Sequence, residues 1–391
     1  MSGARASLQR PWAVALIGIV AVLIWQALTV HYNFAGNWSG LFCAGEKFLP
    51  PPAALEFEHT YRIPNSMGYD GQQYHIMAHD PFLTRGFQSS LDVARFRYRR
   101  IFVPLAAWTL ALGQDRFIDF TYYALSWTAI FLGIWWTARM AVDQGMHAAW
   151  ALLFLFTGGA VATIDRMLMD GVVLAEVAGV VYCASRKQWR ATFVLAVVAA
   201  LTREVGLVTV GGLVGWLAFE RRFRLAAAMA AACVPAFAWY VYVFSRTTPM
   251  TDTFVAPAPF LALMRRIVTP FHYTDIPVVN VLSTVFDYCA LAGLVWAIVY
   301  AAINFRPWLH SVQGWIGFAF VALIAVVSNA TIYDDPYGYT RLFSPSIYIT
   351  GIDGFRTRSW KALMPLALTA PRVGLLVTGQ ILRVVRGLAG L

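Results

Sequence analysis

The sequence predicts an all-α protein that crosses a membrane many times. Of its 391 residues, 59% are hydrophobic and only 13% are charged, and the mean hydropathy is +0.60. A soluble domain could not cover its surface with so few charges. Apolar runs recur along the whole chain, and about 10–11 of them have the composition of membrane-spanning helices. We therefore expect residues 1–391 to form a single transmembrane domain.

The predicted spans are apolar runs separated by charged turns. A helix needs about 20 apolar residues to cross a bilayer, and fewer where it lines a wet cavity. Lys361–Leu382 is left open as a further span because Pro365 and Pro371 interrupt it. The first span follows a basic amino terminus without a clear cleavage site, so we expect an uncleaved anchor. The predicted segments are Trp12–Val30, Phe117–Met140, His147–Thr163, Gly171–Ser185, Ala191–Thr202, Val205–Phe219, Leu225–Phe244, Asn280–Ile303, Val312–Ile332 and Leu342–Asp353.

Arginine and lysine predict the orientation, because cytoplasmic loops are enriched in both. The formal net charge is +10, and one threading places the basic clusters together in the cytoplasm. That threading requires that the short run Ile101–Gly113 does not span, so we assign it as an interfacial helix. The loops 31–116 and 246–279 are then extracytoplasmic, and polar residues from several outer segments collect on one side. The cytoplasmic clusters are Arg5/Arg10, Arg186–Arg190, Arg221–Arg224, Arg306 and Arg356–Lys361.

Several other classes of protein and site are not expected. The four cysteines are far apart in the chain, which does not suggest a disulfide framework or a zinc site. No basic run is interleaved with base-stacking aromatics, so nucleic acid is not an expected partner. In a membrane protein, an excess of basic residues more often marks cytoplasmic loops and contacts with lipid phosphates. Membrane lipids are therefore expected partners.

The stretch Tyr69-Asp-Gly-Gln72 lies in the first long loop and has two interpretations. A carboxylate just outside a membrane helix can act as a general base on a hydroxyl, which would make Asp70 catalytic. Gly71 would then allow a close backbone approach or a sharp turn. Alternatively, Asp70 only caps the amino terminus of an amphipathic helix. Spacing alone does not decide between them.

The run Arg95-Phe-Arg-Tyr-Arg-Arg100 places four arginines on the predicted outer side, against the general charge trend. Guanidinium groups match phosphate oxygens, so Arg99 and Arg100 are candidates for binding a phosphate. The alternative is that the side chains reach lipid headgroups without any further role. The two interpretations coincide if the substrate is itself a lipid phosphate.

The sequence Leu201-Thr-Arg-Glu204 joins two short apolar runs. Placing Arg203 and Glu204 at the tip of a helical hairpin is costly unless they meet water or partners, so we expect a functional role. The alternative is an ordinary outer turn with a self-compensating pair.

Acids, aromatics and an arginine also occur together in Tyr333–Arg341, which includes Asp334, Asp335, Tyr339 and Arg341. Sugars stack on aromatic rings and donate hydroxyls to acids, although interfacial tyrosines are common without any ligand.

Further polar residues have simpler explanations. Glu176 and Asp287 lie inside predicted spans and need partners there. Glu176 is interpreted as a structural hydrogen-bonding residue. His75 and His79 are four residues apart and share a helix face, as zinc ligands can. No HExxH pattern surrounds them, so we expect no metal cofactor.

The order of these motifs resembles that of bacterial GT-C-type membrane glycosyltransferases, including the mannosyltransferase-like proteins of cell-surface glycopolymer formation. The resemblance rests on Tyr-Asp-Gly-Gln, the following Asp-Pro-Phe, Tyr-Arg-Arg-Ile-Phe-Val-Pro-Leu-Ala-Ala-Trp and Leu-Thr-Arg-Glu, and covers roughly residues 10–355. It implies a bundle of transmembrane helices with interfacial helices in the first extracytoplasmic loop. It also implies a bacterial inner membrane, with the active site facing the periplasm or exterior.

The resemblance further implies an inverting transfer of a sugar from a polyprenyl-phosphate donor to a glycan or lipid acceptor. Asp70 matches the position of the catalytic acid, and Arg203 and Arg341 match the basic residues that hold the lipid phosphate. The chain lacks the paired acids that metal-dependent members use, which argues against metal dependence. The sugar or acceptor pocket would be lined by Tyr69, Gln72, Gln73, Tyr74, His75, Glu204, Asp334, Asp335 and Tyr339.

A multi-pass transporter or flippase of a lipid-linked or anionic substrate is the main alternative. It would favour ionisable groups and broken helices near the middle of the membrane, with repeat symmetry. Here the polar groups cluster towards one face and no repeat is visible. A glycan ligase or polymerase and a non-catalytic lipid-binding subunit are further alternatives.

Overall fold

The computed structural model describes residues 10–249, 257–327, 330–334 and 338–390. Helices make up 77% of the structure, so the chain is nearly all-α, as predicted. The α-helices are α1 Pro11–Asn33, α2 Gly71–His79, α3 Ala94–Arg97, α4 Phe102–Leu110, α5 Asp115–Asp143, α6 Gly158–Arg166, α7 Asp170–Ser185, α8 Trp189–Thr202, α9 Glu204–Phe219, α10 Phe223–Ala230, α11 Val234–Arg246, α12 Leu261–Val268, α13 Pro277–Ile303, α14 Phe305–Leu309, α15 Val312–Val326, α16 Ala330–Asp334, α17 Gly338–Leu342, α18 Ser344–Thr357 and α19 Met364–Leu388.

Short 3₁₀ helices and one small strand pair complete the described structure. The strands β1 (Ala44–Gly45) and β2 (Arg62–Ile63) are parallel, with Ala44 opposite Arg62. This pair brings two parts of the first long loop together beside α2. The 3₁₀ helices are Trp38–Phe42, Ala53–Glu58, Phe87–Ser90, Ala148–Phe156, Ala231–Cys233 and Trp360–Ala362.

Five helical segments in the part of the chain that the structure describes are long and apolar enough to cross a bilayer. The segment Lys361–Leu382, which the sequence left open, belongs to one of them. Helix α19 is 25 residues long and is not interrupted at Pro371. A chain with five such helices has the character of a membrane protein. The segments are Pro11–Asn33, Asp115–Asp143, Phe223–Arg246, Pro277–Ile303 and Trp360–Leu388.

The other predicted spans are shorter than a bilayer requires. Helices α8, α9 and α15 have 14, 16 and 15 residues. At 1.5 Å per residue these reach about 21–24 Å, against about 30 Å of hydrocarbon. Helix α7 is also short, and its residues 170–184 are all buried within the protein. Helix α7 therefore lies in the interior of the bundle, where it packs against α5 and α8.

The predicted span His147–Thr163 is a bent pair of helices rather than a straight one. The 3₁₀ helix Ala148–Phe156 meets α6 at an angle of 66°. Thr157 lies at the bend, where its hydroxyl accepts a hydrogen bond from the Ala160 amide and caps α6. Gly158 follows, and a β-carbon there would lie 2.4 Å from the carbonyl oxygen of Thr340. The bend therefore brings α6 directly against α17.

The first long loop folds into a cap with its own apolar core. Leu41, Phe42, Tyr74, Met77 and Tyr98 form part of this core, and every residue of α2 is buried. The run Ile101–Gly113, predicted as an interfacial helix, contains the helix α4, in which Leu110 is 60% exposed while Val103 and Ala107 are buried. The cap rests on α5, since α4 and α2 both contact that helix. This arrangement fixes α2 at one end of the bundle.

Candidate functional site

Asp70 lies immediately before α2, but its side chain does not cap the helix. The carboxylate makes no capping hydrogen bond to the described backbone of α2. Instead, Oδ1 lies 2.9 Å from Arg97 Nη1, and Oδ2 accepts a hydrogen bond of 2.8 Å from Arg341 Nη1. Two arginines that are far apart in the sequence therefore hold the two oxygens of one carboxylate.

These arginines determine the charge state of Asp70. Burial by itself would raise the pKa of the carboxyl group, because it disfavours the charged form. The guanidinium groups of Arg97, Arg341 and Arg100 outweigh burial and hold the pKa of Asp70 well below its usual range. Asp70 is therefore ionised at neutral pH, and the pKa of Arg97 is raised in turn, chiefly by Asp70 against the opposing effect of burial.

Gly71 allows the close approach expected from the sequence, but the approach is to the protein itself. A β-carbon at this position would lie 2.2 Å from the carbonyl oxygen of Arg166 and 2.7 Å from that of Phe42. Any side chain here would push α2 away from α6. The glycine therefore sets the position of Asp70 relative to the bundle.

The tip of the α8–α9 hairpin reaches the same place. Arg203 lies between the two helices in an extended conformation, and its guanidinium contacts the carboxylate of Asp170 at the start of α7. Arg341 Nη1 lies 3.8 Å from Asp170 Oδ2. Arg341 is therefore placed between Asp70 and Asp170 and links the two carboxylates.

Glu204 follows Arg203 and pairs with the arginines of the cap. Its Oε2 lies 2.9 Å from Arg100 Nε, and its Oε1 lies 3.5 Å from Arg99 Nη2. Arg100 also donates a hydrogen bond of 2.6 Å to the hydroxyl of Tyr74. Arg203 and Glu204 thus both have charged partners from other elements, which is what their burial requires.

Together these side chains form one ionic network, which we call the Asp70 cluster. Asp92 completes it, with its Oδ2 lying 2.6 Å from Arg97 Nη2. Five arginines face four carboxylates in this network, so the cluster carries one excess positive charge. Its members are Asp70, Asp92, Arg97, Arg99, Arg100, Asp170, Arg203, Glu204 and Arg341.

Most of the residues singled out from sequence meet here. Asp70, Arg99, Arg100, Arg203, Glu204 and Arg341 belong to the cluster, and Tyr74 contacts it through Arg100. Tyr69 lies beside it, with the guanidinium carbon of Arg341 5.0 Å from the ring centroid. Residues from four separate parts of the chain, the cap, α7, the α8–α9 tip and α17, are thus brought together.

Other predicted pocket residues have different surroundings. Gln72 holds the cap together, since its Oε1 accepts from the Gly45 amide at 3.0 Å and its Nε2 donates to the Met67 carbonyl at 3.0 Å. Gln73 Oε1 accepts a hydrogen bond of 3.2 Å from the Asp92 amide. His75 contacts Glu58, His79 and Asp119 rather than the Asp70 cluster.

The Tyr333–Arg341 segment divides between two places. Tyr339 donates a hydrogen bond of 2.7 Å to Asp287 Oδ1, away from Asp70. Asp334 lines a separate cavity of about 330 Å³ that also contacts Arg265 and Arg266. Asp335 lies outside the described residues.

The buried acids of the spans have the partners that their position requires. Glu176 accepts a hydrogen bond of 2.7 Å from the Thr202 hydroxyl. Asp287 contacts Arg266, and its Oδ1 lies 3.5 Å from Arg372 Nε.

Three members of the cluster were not singled out as site residues from sequence. Arg97 lies within the arginine run, but the direction of each side chain in that irregular segment depends on the folded cap. Asp92 and Asp170 each stand before or at the start of a helix, where acids are common without any further role. A buried carboxylate is energetically costly unless it has a partner, and Asp170 is only 2% exposed. That reasoning would have marked Asp170 as a site residue.

A polar cavity opens beside the cluster. It has a volume of about 650 Å³ and is lined by Tyr61, Asp165, Arg166, Gln380 and Arg383, among others. The guanidinium carbon of Arg166, which lines the cavity, lies 5.8 Å from the Tyr69 ring centroid, so Tyr69 is near both this lining residue and Arg341 of the cluster.

No family model, curated protein or solved structure matches this chain.

Proposed function

We propose that the protein is an inverting glycosyltransferase that uses a polyprenyl-phosphate sugar. The observation that carries this proposal is the ionised Asp70 carboxylate held between Arg97 and Arg341. A base and cations that bind phosphate are the two groups that such a transfer needs in one place. The donor sugar already has a phosphate as its leaving group, so a second catalytic carboxylate is not required.

The reaction follows from these two kinds of group. The acceptor hydroxyl gives its proton to Asp70 while its oxygen forms a bond to the anomeric carbon. The bond from that carbon to the phosphate oxygen breaks, and its electrons remain on the lipid phosphate. Arg341 and Arg203 stabilise the added negative charge there. A single displacement inverts the configuration of the sugar.

Donor binding also improves Asp70 as a base. In the structure the three neighbouring guanidinium groups keep the pKa of Asp70 low, which makes it a weak proton acceptor. A phosphate bound to Arg341 competes for that guanidinium and adds negative charge nearby. Both changes raise the pKa of Asp70 when the donor is in place.

The proposal also includes the position of the protein in the membrane. We assign the cap to the outer face of a bacterial inner membrane, with the bundle arranged as in GT-C-type enzymes. The polar cavity beside Tyr69 is the right size for a small ligand site and would admit a glycan or lipid acceptor.

Transport of a lipid-linked or anionic substrate is a second candidate, and two observations favour it. Asp287 is fully buried in α13 and contacts Arg266 and Arg372, and buried charge within a spanning helix often marks a transport pathway. The 66° bend between Ala148–Phe156 and α6 provides a broken helix of the kind that transporters use.

The two candidates are separated by assaying purified protein in vesicles that contain polyprenyl-phosphate hexoses or pentoses. The glycosyltransferase proposal expects the sugar to appear on an added acceptor, with inverted configuration. Transport without any new glycosidic bond would favour the second candidate instead.

The arginines provide a further test within the same assay. Arg203→Ala and Arg341→Ala should each weaken donor use about tenfold or more, because a hydrogen bond to a charged group contributes about 1.5–3 kcal/mol. Arg116→Ala is a matched control, since Arg116 is exposed and its Nη2 donates a hydrogen bond of 3.0 Å to Gln114 Oε1. Unchanged donor titrations in both variants would remove phosphate binding from their roles.

A further inference from the structure

Four side chains in the cap converge away from the Asp70 cluster. Glu58 ends a 3₁₀ helix, His75 and His79 are one turn apart on α2, and Asp119 lies in the second turn of α5. One ligand atom from each residue can be chosen so that all four lie within 4.8 Å of one another. The two imidazoles are buried, and the Glu58 side chain is only 8% exposed.

The distances between these atoms suit a tetrahedral metal ion. Ligand atoms about 2.0–2.1 Å from such an ion lie about 3.3–3.4 Å from one another. In the structure, His75 Nε2 is 3.3 Å from His79 Nε2 and 3.3 Å from Glu58 Oε2. His79 Nε2 is 3.1 Å from Glu58 Oε1, and His75 Nε2 is 2.8 Å from Asp119 Oδ1. These distances are close to the spacing of a tetrahedral ligand set, and one atom from each of the four residues lies within 4.8 Å of the others.

A second carboxylate orients one of the histidines as it does in known metal sites. His79 Nδ1 lies 2.9 Å from Asp115 Oδ1, so the ring nitrogen that faces Asp115 carries the proton. Arg85 holds Asp115 in place through two hydrogen bonds of 2.8 and 2.9 Å. That tautomer leaves Nε2 of His79 facing Glu58 Oε1 and His75 Nε2.

That arrangement leaves several electron-rich atoms facing one another. The lone pair of His79 Nε2 points towards a carboxylate and a second imidazole, which repel it unless a cation lies between them. Glu58 Oε2 and Asp119 Oδ1 are buried and accept no hydrogen bond of good geometry from the described residues. A positive charge is needed within this group, and either a bound divalent ion or a proton on His75 can supply it.

We propose that Glu58, His75, His79 and Asp119 bind a divalent metal ion of the zinc class. Two imidazoles and two carboxylates are a ligand set that zinc accepts. Four protein ligands leave no open position, so the ion is structural rather than catalytic. It joins the 3₁₀ helix Ala53–Glu58, α2 and α5, and thereby fixes the helix that begins beside Asp70. The proposal does not depend on the reaction that the Asp70 cluster performs.

The sequence could not have shown this site. The two histidines were noted as a pair, but Glu58 and Asp119 lie in other elements and belong to no metal-binding motif. Only the folding of the cap brings the four residues together.

The test is the metal content of the full-length protein purified in detergent without chelators or an affinity tag that binds metal. We expect about one zinc ion per chain, retained through gel filtration. After removal of zinc with a chelator, Co²⁺ should give the visible absorption of a tetrahedral site, and added Zn²⁺ should bleach it. A chain that binds neither Zn²⁺ nor Co²⁺ would overturn the proposal and leave a cluster of protonated histidines paired with acids.

Variants assign the ligands. His75→Ala and His79→Ala should reduce bound zinc to about a tenth or less, and Asp115→Asn should weaken zinc affinity about 10–100-fold because it only positions His79. His272→Ala is the matched control, since His272 pairs with Asp275 at 3.1 Å on the exposed surface. Equal zinc in the His79→Ala and His272→Ala proteins would contradict the assignment. The Co²⁺ spectrum of the unaltered chain decides the matter if the ligand variants do not fold.

Discussion

Arg97 and Arg341 each hold one oxygen of Asp70, and this pairing governs how Asp70 titrates. Replacing Arg97 by Gln removes one of the charges that lower the Asp70 pKa, while burial continues to raise it. A base acts only in its deprotonated form, so the acid limb of transfer activity should move to higher pH in Arg97→Gln. In the unaltered chain, Asp70 should produce no acid limb above about pH 3.9, the ordinary aspartate value.

The measurement is the pH dependence of kcat/KM, which reports ionisations of the free enzyme. Arg116→Gln removes an exposed arginine and should leave the profile unchanged. Superimposable profiles for Arg97→Gln and the unaltered chain, down to the lowest pH at which both stay folded, would contradict the assigned effect of Arg97 on Asp70.

Part of the Asp70 cluster was predictable because charged residues stand out between apolar runs. Arg203 and Glu204 were selected because a charged pair between two apolar runs needs partners, and the structure supplies Asp170, Arg99 and Arg100. Tyr339 was grouped with Arg341 because they are neighbours in sequence. In the structure, the side chain of Tyr339 bonds to Asp287 instead. A helix of five residues is too short for its sequence to show which way each side chain points.

The α8–α9 hairpin positions Arg203 and Glu204, and Gly206 sets how closely its two helices approach. A β-carbon at Gly206 would lie 1.8 Å from the carbonyl oxygen of Ala199. Gly206→Ala must therefore push the helices apart and should cost about 1–3 kcal/mol or more of stability. Thermal unfolding in detergent measures the effect.

Gly211 provides the control on the same helix. A β-carbon there meets no described atom within 4 Å, so Gly211→Ala should be neutral or stabilise the protein by up to about 1 kcal/mol through helix propensity. Equal unfolding temperatures for the two variants would mean that the hairpin tolerates separation at its tip.

Long apolar helices were predictable from sequence, whereas bends were not. The predicted spans Phe117–Met140 and Asn280–Ile303 lie within α5 and α13. Two prolines made Lys361–Leu382 doubtful, but α19 continues through Pro371. The break near Thr157 was missed because it contains no proline, and it depends on the contact between Gly158 and Thr340.

At the scale of the molecule, the charge pattern predicts which side each loop faces. Single cysteines tested in a background without the four native ones should label differently at Ser89 and Lys187, which are both exposed. Ser89→Cys should react with an impermeant maleimide in intact cells, whereas Lys187→Cys should react only after permeabilisation. The reverse pattern would invert the topology and place the Asp70 cluster in the cytoplasm.

The sequence predicted the all-α character of the molecule because composition and apolar runs report directly on burial in a bilayer. It also identified several of the charged residues that the fold brings together. It could not predict the cap, because the core of the cap depends on contacts between residues far apart in the sequence, such as Phe42 and Tyr122. The histidine and carboxylate group of the cap was missed for the same reason.

The central claim is that Asp70 accepts the proton of the acceptor hydroxyl, and transfer by Asp70→Asn tests it most directly. Asparagine keeps the shape of the side chain but cannot accept a proton at neutral pH. Transfer from a polyprenyl-phosphate sugar should fall about 10²–10⁴-fold, while expression and donor binding change little. Asp92→Asn is the matched control, because Asp92 also pairs with Arg97 and is given no role in the proposed reaction. A stable Asp70→Asn protein with near-normal transfer, or an equal loss in Asp92→Asn, would contradict the account.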